Sequence, residues 1–253
     1  MCGIVGYIGK KQAAPIILDG LEKLEYRGYD STGMAVFDGD KIQICKAQGR
    51  LKILEEMTHG GETMPGALGI GHTRWATHGV PSTENAHPHF NKESTIAVVH
   101  NGIIENYMKL RHKLTLKGYE FVSQTDTEVV AHLLDYYYKG NPMEAITKVL
   151  HRVEGSYALG ILFADFPDRL FAVRKDSPLI VGKSEDGCLI ASDVPAILKY
   201  TRNVYYVEIR RSSACRATAC TFTMWTRRKS RRKRSGWTGM RTLPRRKATS
   251  ILC

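Results

Sequence analysis

The second residue of the chain, Cys2, could carry two reactive groups at once. If the initiator methionine is removed, Cys2 presents a thiol and a free α-amine. An α-amine with a pKa of about 8 is well matched to accept the proton of a thiol with a pKa of about 8.5, directly or through one water. Cys2 could therefore serve as both nucleophile and base. The alternative is a buried cysteine that only contributes to packing.

Asn101 and Gly102, in the stretch VVHNGIIENY, could stabilise an oxyanion. Attack on a carboxamide carbon places negative charge on its oxygen, and a side-chain amide beside a backbone N–H can donate to that oxygen. Glycine also lets the backbone come close to a substrate. The alternative is that His-Asn-Gly forms only a turn.

A second set of polar residues could hold an amino acid at both ends. In RWATHG, Arg74 can form a bidentate pair with a carboxylate, and Thr77 and His78 can add hydrogen bonds. Asp126, in SQTDTEV, is expected in the first turn of a helix and could receive an ammonium group. Arg74 and Asp126 would then clamp a zwitterion. The alternatives are a polar loop and a helix cap.

The histidines and cysteines do not indicate a metal site. Four histidines are close in sequence, but their spacing does not match a zinc pattern: His72, His78, His87 and His89. The six cysteines show no paired metal-ligand spacing and are too sparse for a disulfide framework. We expect neither a metal nor a cofactor.

Strand-like and helix-like segments that could position these residues alternate up to Glu208. MAVFDGDKIQIC predicts a hairpin with its turn at Asp38-Gly39. TDTEVVAHLLDYYY opens with Thr125 and Glu128 in capping-box spacing, and NPMEAITKVLHRV opens with Asn141 and Pro142 as cap and first residue. Many strands with helices in separate blocks predict an α+β fold, with sheets packed on each other and helices outside.

Composition limits the classes of protein further. The 253 residues allow one large or two small domains, and the hydrophobic fraction is an ordinary 43%. No apolar run is long enough to span a membrane and no signal peptide is visible, so we expect a cytoplasmic protein. The net charge of +12 comes from residues 209–253, which hold 14 Lys and Arg and no Asp or Glu. We expect that segment to be disordered.

Several motifs, taken together and in order, resemble one family. They are CGIVGYIG, LEYRGYDSTGMAV, GHTRWATHG, NAHPH, VVHNGIIENY, SQTDTEVVAHLL, GSYALGIL and IASDVPAIL. Residues 2–208 resemble the glutaminase domain of glutamine-fructose-6-phosphate aminotransferases, or glucosamine-6-phosphate synthases, which are N-terminal-nucleophile amidotransferases. YRGYDS and RWATHG point to this sugar enzyme rather than to asparagine-synthesising or purine-pathway relatives.

The resemblance implies a four-layer αββα sandwich and a role for each candidate residue. Cys2 would be the nucleophile with its α-amine as base, and Asn101 with the Gly102 amide would form the oxyanion hole. The residues implied to hold L-glutamine are Arg74, Thr77, His78, Gly102 and Asp126, with Trp75 on a loop that closes over the site. The reaction would pass through a γ-glutamyl thioester and release ammonia and glutamate.

The resemblance also implies partners that lie outside this sequence. In the family, which is homodimeric, ammonia travels to sugar-isomerase domains that act on fructose 6-phosphate, and those domains are absent here. We expect at most a glutaminase from this fragment. Because the family has acidic sequence where this chain has MWTRRKSRRKR, we also hypothesise that residues from about Ile209 onward are an out-of-frame translation.

Two alternatives come from other classes of protein. One is a truncated, inactive binding module built on the same amidotransferase fold. The other is nucleic-acid binding through the basic tail, with Trp225 and Trp237 stacking on bases. Basic clusters without a fold are weak signals, so nucleic acid is the less favoured partner.

Overall fold

Two stacked antiparallel β-sheets, covered by helices on their outer faces, make up the molecule. The structure is a computed structural model that describes residues 2–206 and, as backbone, residues 211–215 and 220–224. Apolar side chains fill the space between the sheets and between each sheet and its helices. The predicted α+β fold is confirmed as a four-layer αββα sandwich. No helix within the described ranges is long and apolar enough to cross a membrane.

The strands divide between a seven-stranded and a six-stranded sheet. In chain order they are β1 (Gly3–Gly9), β2 (Ser31–Phe37), β3 (Ile42–Gln48), β4 (Leu68–Arg74), β5 (His89–Phe90), β6 (Ile96–Ile104), β7 (Gly155–Phe163), β8 (Leu170–Lys175), β9 (Ile180–Lys183), β10 (Gly187–Ala191), β11 (Val204–Tyr206), β12 (Arg211–Cys215) and β13 (Cys220–Met224). The first sheet has the order β11-β9-β10-β1-β4-β2-β3, and the second has the order β13-β12-β8-β7-β6-β5. Neighbours β1 and β4 thus lie inside the first sheet and stack on the second.

Helices cover both sheets and fix the strands beneath them. They are α1 (Ala13–Glu22) and α2 (Leu51–Met57) on the first sheet, and α3 (Tyr107–Thr115), α4 (Glu128–Tyr137) and α5 (Pro142–Leu150) on the second. Helix α1 packs closely on β4 because Gly71 has no side chain: an added Cβ would lie 2.3 Å from Cγ2 of Ile17. The strand that ends in Arg74 is therefore held between a helix and the second sheet.

Two of the predicted local signals are confirmed. In the β2–β3 hairpin, the Asp38 carboxylate accepts the N–H groups of Asp40 at 2.9 Å and Lys41 at 2.8 Å, and Gly39 has φ +110°. At the start of α5, the Asn141 side chain accepts the Glu144 N–H at 3.2 Å, and Pro142 follows as the first helical residue. Both signals depend only on nearby residues.

The predicted capping box of α4 is wrong. The N-cap is Thr127, and it makes no side-chain capping hydrogen bond. The Thr125 hydroxyl instead contacts Nε2 of His89 at 2.9 Å, and the Glu128 carboxylate accepts the N–H groups of Val122 and Ser123 at 2.8 Å each. Both side chains thus bind partners outside the helix end, so neither caps the helix.

The basic tail differs from its prediction at ten residues. Strand β12 pairs with β8 from Arg211↔Arg174 to Cys215↔Leu170, and β13 pairs with β12. Ladder pairing uses backbone N–H and C=O groups, so it can form without an apolar side-chain period. The expected disorder therefore does not hold for these ten residues. Residues 207–210, 216–219 and 225–253, including both tail tryptophans, lie outside the described residues, and the frameshift hypothesis stays a prediction.

Candidate active site

Three strand ends bring the candidate nucleophile and the candidate oxyanion-hole pair together. Gly3 of β1 pairs with Thr73 of β4, so Cys2 lies beside Arg74 at the adjacent end of β4. Asn101 is near the end of β6 in the facing sheet, and its Nδ2 donates to the Cys2 carbonyl oxygen at 2.9 Å. The sandwich therefore joins Cys2 and Asn101, which are 99 residues apart in sequence.

The Cys2 thiol lies against the Trp75 backbone. The Trp75 N–H donates to Sγ at 3.3 Å, and Sγ lies 3.5 Å from the Trp75 carbonyl oxygen. Burial raises the pKa of the Cys2 thiol, although the Trp75 N–H and the nearby Arg74 charge act in the opposite direction. Because the net effect favours the protonated thiol, forming a thiolate here needs a base.

Asn101 and Gly102 are fixed by the geometry of β6. The Asn101 side chain is buried, and its Oδ1 lies 3.0 Å from Nε2 of the buried His72. Gly102 has φ +123°, and an added Cβ would lie 2.1 Å from the Ser156 carbonyl oxygen. Only glycine fits this position. Gly102 is exposed, so its backbone is open to a ligand.

Arg74 organises the loop that follows it. Its buried guanidinium donates to the carbonyl oxygens of His78, of Gly79 at 3.1 Å and of Val80 at 3.4 Å. Burial lowers the pKa of Arg74, and the nearby Asp30 and Asp126 charges oppose that change. Within the described part of the chain, no carboxylate forms an ion pair with Arg74. The guanidinium is thus a buried charge held by carbonyl dipoles.

The side chains of the 75–80 loop line the rim of the site. Trp75 is 49% exposed, and its ring packs edge-on against Tyr29 at 5.6 Å between centroids. Thr77 is exposed, and the half-buried His78 packs its ring against Tyr107 at 5.3 Å. The loop thus carries an aromatic, a hydroxyl and an imidazole group, and its Trp75 backbone contacts the Cys2 thiol.

Asp126 lies before helix α4, not in its first turn. The helix begins at Glu128, and the buried Asp126 carboxylate accepts the Ile104 N–H at 2.7 Å. This hydrogen bond ties Asp126 to the end of β6, two residues beyond Gly102. Among the described residues no cation forms an ion pair with Asp126. The alternative interpretation of Asp126 as a helix cap is therefore wrong.

Four buried histidines pack behind Asn101. We call His72, His87, His89 and His100 the histidine cluster; the ring centroids of His72 and His87 are 4.1 Å apart, and those of His87 and His89 are 4.8 Å apart. Burial lowers the pKa of all four, because it disfavours the charged imidazolium. Nowhere in the described ranges are three His, Cys, Asp or Glu side chains arranged to hold a metal ion.

Sequence reasoning missed two supporting residues. The Asp30 carboxylate accepts the Ala76 N–H, and the Asp30 N–H donates to the Arg74 carbonyl oxygen at 3.1 Å. These bonds hold the peptide segment whose Trp75 N–H reaches the thiol. His72 belongs to the histidine group whose proximity in sequence raises only the interpretation of a metal site, whereas in the structure it contacts Asn101. Asp30 lies within the motif YRGYDS, but no local spacing links either residue to its partner.

Comparison with known proteins places this chain in one class. Residues 72–199, just over half of the chain, match the family described as a glutamine amidotransferase domain. The chain belongs to this family.

Curated relatives name a particular group within that class. The chain is 62% identical over 208 residues to glutamine-fructose-6-phosphate aminotransferase (isomerizing) from Clostridium acetobutylicum, covering 82% of this chain and 34% of that protein. It is 60% and 49% identical over the same length to the enzymes of that name from Clostridium tetani and Thermus thermophilus. The chain spans about a third of the length of these relatives.

Solved structures agree on the fold. Glutamine phosphoribosylpyrophosphate amidotransferase from Bacillus subtilis, complexed with ADP and GMP, matches with a TM-score of 0.79 at 26% identity, over 90% of this chain and 50% of that one. A glutamine aminotransferase class-II domain protein from Silicibacter pomeroyi matches with a TM-score of 0.62 at 14% identity, over 89% of this chain and 100% of that one. The second likeness concerns the fold alone.

Proposed function

We propose that residues 2–208 form a glutaminase domain that hydrolyses the side-chain amide of L-glutamine to glutamate and ammonia. The observation that carries this proposal is the convergence of a thiol and an amide donor where the start of β1 meets the end of β6. Asn101 Nδ2 lies 2.9 Å from the Cys2 carbonyl oxygen, and the Trp75 N–H lies 3.3 Å from the Cys2 sulfur. A nucleophile and donors to the charge that it creates are thus side by side.

The reaction would proceed through a thioester on Cys2. Its α-amine, freed by removal of Met1, takes the thiol proton, and the sulfur attacks the carboxamide carbon. The C–N bond then breaks, and ammonia leaves with the proton from the α-ammonium group. Water next cleaves the C–S bond of the γ-glutamyl thioester, which releases glutamate and restores the thiol. The raised pKa of the Cys2 thiol supports the need for this base.

Asn101 and Gly102 would form the oxyanion hole. One hydrogen of Asn101 Nδ2 binds the Cys2 carbonyl, which leaves the second for the developing oxyanion. The positive φ of Gly102 lets its backbone N–H approach from a direction that a side chain would block. Both donors are held before substrate arrives, so they need little reorganisation in the transition state.

Arg74 and Asp126 would hold the two charged ends of glutamine. Each is a buried charge that has hydrogen bonds but no ion-pair partner among the described residues, and glutamine would supply the opposite charge to each. Thr77 and His78 would add hydrogen bonds from the loop that Arg74 holds. Trp75, half exposed on the same loop, would close over bound glutamine.

A longer protein would use the ammonia. The 208 matched residues make up only 34% of the relatives named above, and the name of these relatives includes fructose 6-phosphate. We propose that this domain supplies ammonia for the synthesis of glucosamine 6-phosphate in such a protein. Homodimer formation and the cytoplasmic location belong to the same proposal.

The test is ammonia release by the full chain, with intact mass measured on the same sample. Cys2→Ala should lower kcat by more than about a thousandfold, because it removes the atom that forms the thioester. The control Cys45→Ala changes a half-buried cysteine on β3 and should stay within about twofold of the unchanged chain. Activity in a sample that keeps Met1 or carries an acetylated α-amine would contradict the proposed base. Glutamine binding without ammonia release would favour the binding module.

A further inference from the structure

A fully buried histidine links the two sheets directly behind the proposed oxyanion hole. His72 lies on β4 of the first sheet, and its Nε2 reaches two oxygens on β6 of the second. These are the His100 carbonyl oxygen and Asn101 Oδ1, each at 3.0 Å. One imidazole nitrogen of His72 therefore contacts both the His100 backbone and the Asn101 side chain, which are the two residues before Gly102.

The acceptors around His72 and Asn101 determine which atoms carry hydrogen. The Cys2 carbonyl can only accept, so the Asn101 atom facing it is the amide nitrogen, and Oδ1 faces His72. The His100 carbonyl also can only accept, so Nε2 of His72 must carry the proton. Burial keeps the ring neutral by lowering the pKa of His72 to about 3. His72 is thus a neutral donor with its hydrogen on Nε2.

We propose that His72 is a positioning residue that fixes the orientation of the Asn101 carboxamide. The inference deepens the proposed glutaminase function and rests on it. A carboxamide has two orientations related by a half-turn, and only one presents its N–H groups to Cys2 and to the oxyanion. The Nε2 hydrogen of His72 stabilises that orientation, because it donates to Asn101 Oδ1. In the flipped orientation the same hydrogen would face the Asn101 NH₂ group, which is also a donor.

The ring of His72 is itself held by its neighbours. His87 packs against it with centroids 4.1 Å apart, and Nδ1 of His87 accepts the His100 N–H at 3.3 Å. His100 of β6 thus binds His87, which packs on the His72 ring, and the His100 carbonyl also accepts the hydrogen bond from His72. Supporting contacts of this kind keep a reacting group within the tolerance that catalysis needs.

The experiment compares His72→Leu with His72→Gln in the full chain. Leucine removes the donor, whereas the glutamine amide can place an N–H near the position of Nε2. With glutamine as substrate, His72→Leu should lower kcat about ten- to a hundredfold and change KM by less than about threefold, short of the loss expected when an oxyanion donor is deleted. His72→Gln should recover most of kcat.

A control and a second reaction separate positioning from a general loss of structure. His132→Leu changes another buried histidine, which lies on α4 and pairs with Glu128, and it should stay within about twofold of the unchanged chain. Alkylation of Cys2 by iodoacetamide displaces iodide and forms no oxyanion, so its rate in His72→Leu should also stay within about twofold.

Each contrary result has a distinct meaning. An unchanged chain that releases no ammonia overturns the glutaminase proposal and this inference with it. If the unchanged chain is active, full kcat in His72→Leu overturns the inference alone. A parallel loss of alkylation and kcat, or a His72→Gln variant no better than His72→Leu, also overturns it.

Discussion

At the ends of β1 and β6, Cys2 and Asn101 are joined by a hydrogen bond and supported by a buried histidine, whereas residues 75–80 are held mainly through their backbone. Asn101 contacts Cys2 and His72 at 2.9 and 3.0 Å. The loop is tied down by Arg74 at its carbonyls and by Asp30 at one N–H, while Trp75 and Thr77 remain exposed. The proposed reacting groups are thus more constrained than the groups proposed to bind substrate, as expected where chemistry needs precision and binding needs adaptability.

The strand-end region should respond mainly in kcat. Asn101→Ala removes the proposed donor to the oxyanion, a charge that is absent from bound glutamine, so kcat should fall about 10² to 10³-fold with KM nearly unchanged. Steady-state ammonia release against glutamine concentration measures both constants. The control Asn106→Ala changes an asparagine that contacts Arg152 and Glu154 and should have little effect. A raised KM at constant kcat would show that Asn101 contributes to substrate binding, and it would contradict the difference between the strand ends and the 75–80 loop.

The loop region should respond mainly in KM, and less strongly. Arg74→Lys keeps the charge but loses the planar fork that holds the carbonyls of residues 78–80. KM for glutamine should rise about ten- to a hundredfold, with a smaller fall in kcat. Arg152→Lys is the matched control, because the guanidinium of Arg152 donates to Tyr137 rather than to the 75–80 loop. A fall in kcat with KM unchanged would show that the loop serves the chemical step instead.

Local signals explain what the sequence predicted correctly. The Asn141 cap and the Asp38 turn involve residues within three positions of each other, so their spacing alone predicts their hydrogen bonds. The strands that place Arg74 and Asn101 lie within the alternating strand-like and helix-like segments that the sequence predicts before Glu208. These features carry most of the site.

The remaining features depend on residues far apart in sequence. Thr125 and Glu128 have the spacing of a capping box, but their side chains bind His89 and the 122–123 backbone instead. His72 reaches Asn101 across the two sheets, 29 positions away. Strands β12 and β13 form by backbone pairing in a segment whose side chains predicted none. Spacing along the chain cannot show such partners, since tertiary contacts override local preference.

The histidine cluster should make the folded domain sensitive to acid. Burial lowers the pKa of all four rings, the charges of Arg74 and Lys46 add to this effect, and the carboxylates of Asp126 and Glu128 oppose it, so the native state favours the neutral rings. An unfolded chain would protonate each ring as the pH falls below about 6.5. The folded domain therefore keeps its full free energy of unfolding above that pH, and this free energy decreases as the pH is lowered further.

Each proton that only the unfolded chain binds costs about 1.4 kcal/mol of stability per pH unit, so the loss should steepen as the pH falls and unfolding exposes rings that take up protons. Thermal unfolding midpoints between pH 7.5 and 5.5 measure this loss; a flat profile would contradict it. The arrangement that steadies the Asn101 amide would then confine the domain to near-neutral surroundings.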